Sequence, residues 1–220
     1  MAQYLKLFKT EADYEAVVGT ENEPNVAHII EDIEIKQKKE IDFNGHCYVD
    51  LGLPSGTLWA CYNVGASTET GYGNYYAYGK GSKTYNKNDP AYTATTENLP
   101  MEVDTARQVM GGDWHTPTKE QAIELGVNTI FEADVVIGGV KGIKLTSKVN
   151  GNYIFFPFAG NYYNGRKINV GTWAFFMTST MEQDTTHWDC TVNYFSQYPE
   201  YSCGEESNRA QGKNVRGVIG

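Results

Sequence analysis

The four cysteines are Cys47, Cys61, Cys190 and Cys203, and their spacings match no zinc pattern. A reactive thiol needs positive neighbours that lower its pKa. No Lys or Arg occurs between Lys167 and Arg209, so Cys190 and Cys203 read as a strand residue and a turn residue rather than nucleophiles. His28, His46, His115 and His187 are scattered, with no H-x-x-x-H pair. Ser179 lacks the G-x-S-x-G context of an activated serine. Gly71-Tyr72-Gly73 is not followed by a third glycine opening a helix, and no P-loop occurs. These residues point to no catalytic set, no metal site and no cofactor, and the chain reads as a non-enzyme.

Recognition is the chemistry that remains, and residues 173–209 concentrate it. The aromatics there are Trp173, Phe175, Phe176, Trp188, Tyr194, Phe195, Tyr198 and Tyr201. The acids Glu182, Asp184, Asp189, Glu200, Glu205 and Glu206 lie among them without a basic residue, interleaved with small polar side chains. Aromatic and small polar groups over a rigid scaffold form an adaptable contact surface. The candidate ligand-binding residues are Thr178, Thr186, His187, Asp189, Thr191, Asn193, Phe195, Tyr198, Tyr201 and Asn208. The same composition also suits an ordinary strand with exposed turns.

A scaffold must hold that segment, and 220 residues suffice for one large domain or two small ones. With 40% hydrophobic and 20% charged residues, the composition is that of a folded chain. Net charge is -9, from 18 Lys plus Arg against 27 Asp plus Glu, which argues against nucleic acid as the main partner. No apolar run approaches the roughly 20 residues of a membrane helix, so no membrane insertion is expected. Residues 1–10 lack the basic start and apolar run of an export signal, so reduced thiols are expected. Two bridges remain open if the protein matures outside a cytoplasm.

The texture divides the chain at residue 40. In 1–40, a short apolar strand (Tyr4, Leu5, Leu7, Phe8) precedes a helix opened by Thr10-Glu11-Ala12-Asp13. A strand or strand pair follows at 26–36. This small α/β unit is too short to bury much core alone and reads as an anchoring or assembly unit. Residues 41–220 read as short strands and glycine-rich turns. Strands are expected at 46–53, 57–60, 143–145, 153–158, 173–178, 187–195 and 215–219. A short helix capped by Asp104 should end near Met110. Thr116-Pro117-Thr118-Lys119-Glu120 should cap a second helix that stops at Gly126. Trp59, Trp114 and Trp173 are assigned to the core. Two helices among many strands give an α+β domain.

Several ordered blocks carry a family resemblance. Asp50-Leu51-Gly52-Leu53-Pro54-Ser55-Gly56-Thr57-Leu58-Trp59-Ala60 leads into Asn63-Val64-Gly65-Ala66. Tyr72-Gly73-Asn74-Tyr75-Tyr76-Ala77-Tyr78-Gly79 and Gly112-Asp113-Trp114-His115-Thr116-Pro117-Thr118-Lys119-Glu120 follow. Phe156-Pro157-Phe158-Ala159-Gly160, Ser179-Thr180, Asn208-Arg209 and Val215-Arg216 complete the series. Over residues 46–219 the chain resembles the Fibrobacter succinogenes major paralogous domain, common in gut Bacteroidetes and their phages. It departs at Tyr78, where that family more often has Trp. The resemblance implies a C-type lectin-like fold, in the branch shared with formylglycine-generating enzymes, and an internally paired Arg216. It implies no sugar binding by itself.

The thiol oxidation of those enzymes uses a closely spaced Cys pair, which Cys190 and Cys203 do not supply. Glu23-Pro24-Asn25 spells the calcium-and-mannose tripeptide of some lectins, but it lies outside the lectin-like body and reads as a turn. The resemblance implies that the late region carries the ligand-binding face, ahead of a constant closing strand at Val215-Arg216-Gly217-Val218. In some relatives that region is diversified by retroelements. The N-terminal unit resembles the leading segments of gut-phage virion proteins. The expectation is a binding and display protein assembled in the bacterial cytoplasm into a virion, as a head or tail fibre or decoration. Its partners would be a cell-surface glycan or protein and other copies of itself or virion proteins, with a homotrimer suggested by such fibres. The alternative is a bacterial surface or secreted adhesin.

Overall fold

The computed structural model describes residues 41–86, 99–180, 189–196, 202–208 and 211–220. They belong to one compact unit, Lys39–Gly220. The expected anchoring unit at 1–40 lies outside the described residues.

Three hairpins use the same turn chemistry. Strand β1 (Ile41–Phe43) turns into β2 (His46–Asp50) through Asn44-Gly45, at φ 54° and 78°. β4 (Thr129–Ile137) turns into β5 (Val140–Ser147) through Gly138-Gly139, at 53° and 79°. β7 (Asn161–Tyr163) turns into β8 (Arg166–Ile168) through Asn164-Gly165, at 47° and 77°. Two consecutive positive φ values match the twist of the flanking strands, and Asn and Gly adopt them at least cost. β3 (Leu58–Ala60) pairs with β2, and β12 (Val218–Ile219) with β3, giving a four-stranded sheet ordered β1-β2-β3-β12. β4, β5 and β6 (Tyr153–Pro157) form a meander. β9 (Trp173–Met177), β10 (Asp189–Ser196) and β11 (Ser202–Asn208) form a third antiparallel sheet, with β10 central. The described residues hold two α-helices, and the fold is α+β with mostly antiparallel sheets.

Helix α1 (Thr105–Met110) starts as its sequence dictates, with the Asp104 carboxylate accepting from Arg107 N at 2.9 Å. That carboxylate is buried and also takes Thr116 N at 2.9 Å and Thr116 Oγ1 at 3.1 Å. Thr116 is therefore not the cap of helix α2 (Lys119–Val127). Thr118 caps it in a capping box, accepting from Gln121 N while Gln121 Oε1 takes Thr118 N. Gly126 does not stop the helix, which runs on to Asn128 as its C-cap.

Two clusters form the core. Trp59, Leu51, Leu125, Ile143, Leu145, Phe156, Phe158 and Phe176 anchor one; Trp114, Tyr76, Tyr78, Met110, Met177 and Val215 anchor the other. Trp59 and Trp114 are fully buried, whereas Trp173 is half-buried and stacks on Phe175 at 5.7 Å. Trp59 meets Phe176 edge-to-face at 5.9 Å, an arrangement that sets the positive ring edge against a negative face.

Between the clusters runs the C-terminal segment 211–218. The expected closing strand over 215–219 shortens to β12, because the residues before it bond in turn to several elements rather than to one ladder. Gly212 pairs with Tyr162, Lys213 with Tyr76, Asn214 O with Met177 N, Val215 O with Val64 N and Gly217 O with Ala60 N. Asn214 Nδ2 donates to Tyr72 O and Asn74 O. Arg216 is fully buried and donates to Asn63 Oδ1 (3.1 Å), Ala60 O (3.1 Å), Cys61 O (2.5 Å) and Phe155 O (2.8 Å). Its guanidinium lies 4.5 Å over the Phe156 ring. Burial pushes Arg216 down to about 9, opposed by the negative charge of Glu69, so it stays charged at neutral pH.

The expectation of reduced thiols fails at Cys47 and Cys61, which form a disulfide. β2 and β3 bring them opposite one another, with Cα atoms 5.4 Å apart and Cys61 N donating to Cys47 O at 3.0 Å. Cys203 is not in a turn but in β11. Register sets Cys190 opposite Ser207 and Tyr194 opposite Ser202, so Cys190 and Cys203 are not cross-strand partners.

Two outcomes follow from this architecture. Arg216→Met leaves four acceptors without their donor and should lower unfolding free energy by about 3–5 kcal/mol. Arg216→Lys, lacking the fork, should recover less than half of that. Urea melts check both, and a midpoint unchanged in Arg216→Met would contradict the central role. Cys47→Ser with Cys61→Ser should cost about 2–3 kcal/mol, and thiol titration of the unreduced protein should leave Cys47 and Cys61 unreacted.

Candidate functional site

The sheet β9-β10-β11 carries the candidate recognition surface. Its first strand is a core strand, with Ala174, Phe176 and Met177 buried. Beyond β9 the chain is clamped onto the start of α2. Ser179 N donates to Pro117 O at 2.7 Å, and Thr180 Oγ1 accepts from Lys119 N at 3.0 Å. Tyr78 Oη and Leu99 N both donate to Ser179 O. Thr178 at the head of this clamp is fully buried. Its side chain belongs to the interior and not to a presented face, which corrects its place among the ligand-binding candidates.

Asp189, Thr191, Asn193 and Phe195 alternate along β10 and so share one face of the strand. Asn208 lies opposite Asp189, and Glu206 opposite Thr191, which puts them on the same face. Asn193 is opposite Phe176 and Phe195 opposite Ala174, both core positions of β9. Pairing with β9 ends at Val192↔Met177, while pairing with β11 continues to Asp189↔Asn208. The sheet therefore has two parts. At 193–196, β10 is paired with β9. At 189–191, it projects past β9 as a two-stranded ribbon whose shared face carries Asp189, Thr191, Glu206 and Asn208. The register shift between Val192 and Tyr194 marks the transition. Helix α2 lies beside both β10 and β11. Thr186, His187, Tyr198 and Tyr201 lie outside the described residues.

A second cluster lies at the β7–β8 hairpin, where no candidate was placed. Tyr75, Tyr162 and Tyr85 form a continuous run of tilted rings, with centroids 5.9 Å and 5.3 Å apart. Tyr75 is buried, donates to Ala159 O at 2.6 Å, and has Lys167 Nζ 5.0 Å over its ring. Tyr162 and Tyr85 are half-buried and line an open groove of about 770 Å³ between residues 82–86 and the hairpin. Gly212 lets the two rings approach, because a Cβ there would sit 2.6 Å from Tyr85 Cβ and 3.0 Å from Tyr162 Cβ. The sequence signals were the 16 tyrosines and the Asn164-Gly165 turn, but nothing local links residue 85 to residue 162.

Among the described residues, no group of three or more His, Cys, Asp or Glu could hold a metal ion. Nor, among them, is any helix long and apolar enough to cross a membrane. The buried charges of Asp104 and Arg216 bind main-chain atoms and neighbouring polar side chains. Comparison with family models, with curated proteins and with solved structures finds no match to the chain.

Burial raises the phenols of Tyr75 (to about 12, with Tyr72 adding), Tyr76, Tyr85 and Tyr153. A phenol raised in the folded state ionises first in the unfolded chain, so stability falls as pH rises. The loss should begin near pH 10, the ordinary phenol value, and continue to about pH 12. Tyr75 alone accounts for roughly 2–3 kcal/mol of it. Urea midpoints measured across that range check the sign, and Tyr75→Phe should flatten the slope.

Proposed function

We propose that this chain is a non-enzymatic binding and display protein whose β10–β11 ribbon meets a cell-surface glycan or protein. The observation that carries the reading is the register of the late sheet. It extends a polar face of Asp189, Thr191, Glu206 and Asn208 beyond the strand that roots it in the core. A rigid base with a projecting polar end is how a scaffold offers contacts without moving its core.

The C-type lectin-like fold, and with it membership of the major paralogous family, belongs to the same proposal. Its supports are the two helices, the antiparallel sheets, and the pairing of β12 with β3 that joins early and late strands of the body. The motif blocks fall on structural positions. Asp50 to Ala60 spans the end of β2, the turn and β3; Trp114 is core; Ser179 and Thr180 form the clamp; and Val215-Arg216 is the buried strap. A buried strap behind a polar ribbon is also an arrangement in which the ribbon can vary while the strap stays constant, as retroelement diversification would require.

Two settings fit a display protein. One is a virion fibre or decoration, with the first forty residues as anchor and several copies providing avidity. The other is a bacterial surface or secreted adhesin. The Cys47–Cys61 bridge favours the second, because disulfides persist in oxidising compartments and are rare in the cytosol.

Labelled full-length chain should bind intact cells saturably. Asp189→Ala with Asn208→Ala should weaken that binding at least tenfold without shifting the melting temperature by more than a few degrees, and unchanged binding would refute the ribbon as the contact surface. Alkylation and mass spectrometry of the endogenous protein should separate the settings. The adhesin reading requires bridged Cys47 and Cys61 in the envelope or medium. The virion reading requires the chain in the particle fraction.

A further inference from the structure

We propose that the groove between residues 82–86 and the β7–β8 hairpin binds an acidic saccharide, with Tyr85 and Tyr162 as the stacking platform and Lys83 as the partner of its carboxylate. This site shares no residue with the β10–β11 ribbon and does not rest on that reading.

The platform is built before any ligand arrives. Tyr162 N and O both bond to Gly212 at 2.8 Å, and Tyr85 N donates to Tyr75 O at 2.7 Å. The missing Cβ of Gly212 is what allows the two rings to lie 5.3 Å apart. Rings fixed by their own backbone lose little further freedom on binding. The groove, of about 770 Å³, is a shallow surface feature and not an enclosed cavity. Its openness to one side suits a chain of sugar units better than an enclosed cofactor.

The lining matches a pyranose. Such a ring offers an apolar C–H face and a rim of hydroxyls. Tyrosine faces take the first, and the hydroxyls of Ser82 and Thr84 on the groove wall can exchange hydrogen bonds with the second. Charge selects the class. The chain is -9 overall, yet Lys83 lines the groove and Arg166 follows its Gly165 wall. Neither makes an ion pair among the described residues. A local positive site on an acidic protein favours an anionic ligand, and stacking rings favour a sugar acid over a bare anion. A peptide adding a strand would find only three residues in β8.

The test is calorimetric titration of the full chain with tetragalacturonate and, separately, with neutral maltotetraose. Tetragalacturonate should bind saturably, at least fivefold more tightly than the neutral tetramer, and more weakly as salt rises. Lys83→Gln, an exposed change that leaves the fold intact, should erase most of that preference and flatten the salt dependence. Tyr85→Ala should weaken binding at least tenfold, with circular dichroism confirming the fold. Absence of saturable binding, equal binding of both tetramers, or a Lys83→Gln variant indistinguishable from the parent would each overturn the proposal.

Discussion

A guanidinium buried among four oxygens, none of them a carboxylate, is the constraint on which the rest of this domain depends. Burying a charge is costly unless it is well hydrogen-bonded. Arg216 meets that condition only when the end of β3, the turn at Asn63 and strand β6 converge on it. Those segments are far apart in sequence, and each is held by something else as well. β3 carries Trp59 and leads into the bridged Cys61, Asn63 also donates to Tyr72 O, and β6 supplies Phe156 to the core and to the cation. The hydrophobic clusters supply most of the driving force; the guanidinium sets the register in which they close.

The two surfaces derive from that arrangement. The strap that carries Arg216 lies beside β9 through Asn214 and beside β7 through Gly212. It therefore fixes both the root of the β10–β11 ribbon and the floor of the tyrosine groove. The two surfaces differ in charge: the ribbon belongs to a stretch without a single base, while Lys83 lines the groove.

Features set by local chemistry were legible in the sequence. Asp104 as a cap needs only the next turn of chain, and α1 follows it. The strands at 46, 143, 153, 173 and 189 show in their apolar patterning, and β10 was expected almost at its observed bounds. Features set by distant partners were not legible. Thr116 looks like a cap, but Asp104 claims it. β4 was hidden because Glu132 and Asp134 interrupt its apolar run, and Asp134 sits at a bulge with φ 57°. Thr178 reads as a polar surface residue, yet it is buried where the chain joins α2. Asp189, Thr191, Asn193 and Phe195 fell on one face as alternation required, but only register revealed that Asn193 and Phe195 stand opposite core positions of β9. The tyrosine groove joins residues 85 and 162 through a glycine at 212, and no local pattern encodes it.

The burial of 211–218 has a consequence for biosynthesis. A ribosome releases these residues after every element they organise, so a nascent chain can form its hairpins and helices but cannot close its interior. Any product interrupted before residue 211 keeps both aromatic clusters open and the acceptors of Arg216 bare. Placing this segment late makes closure of the core wait until every element it joins has been translated.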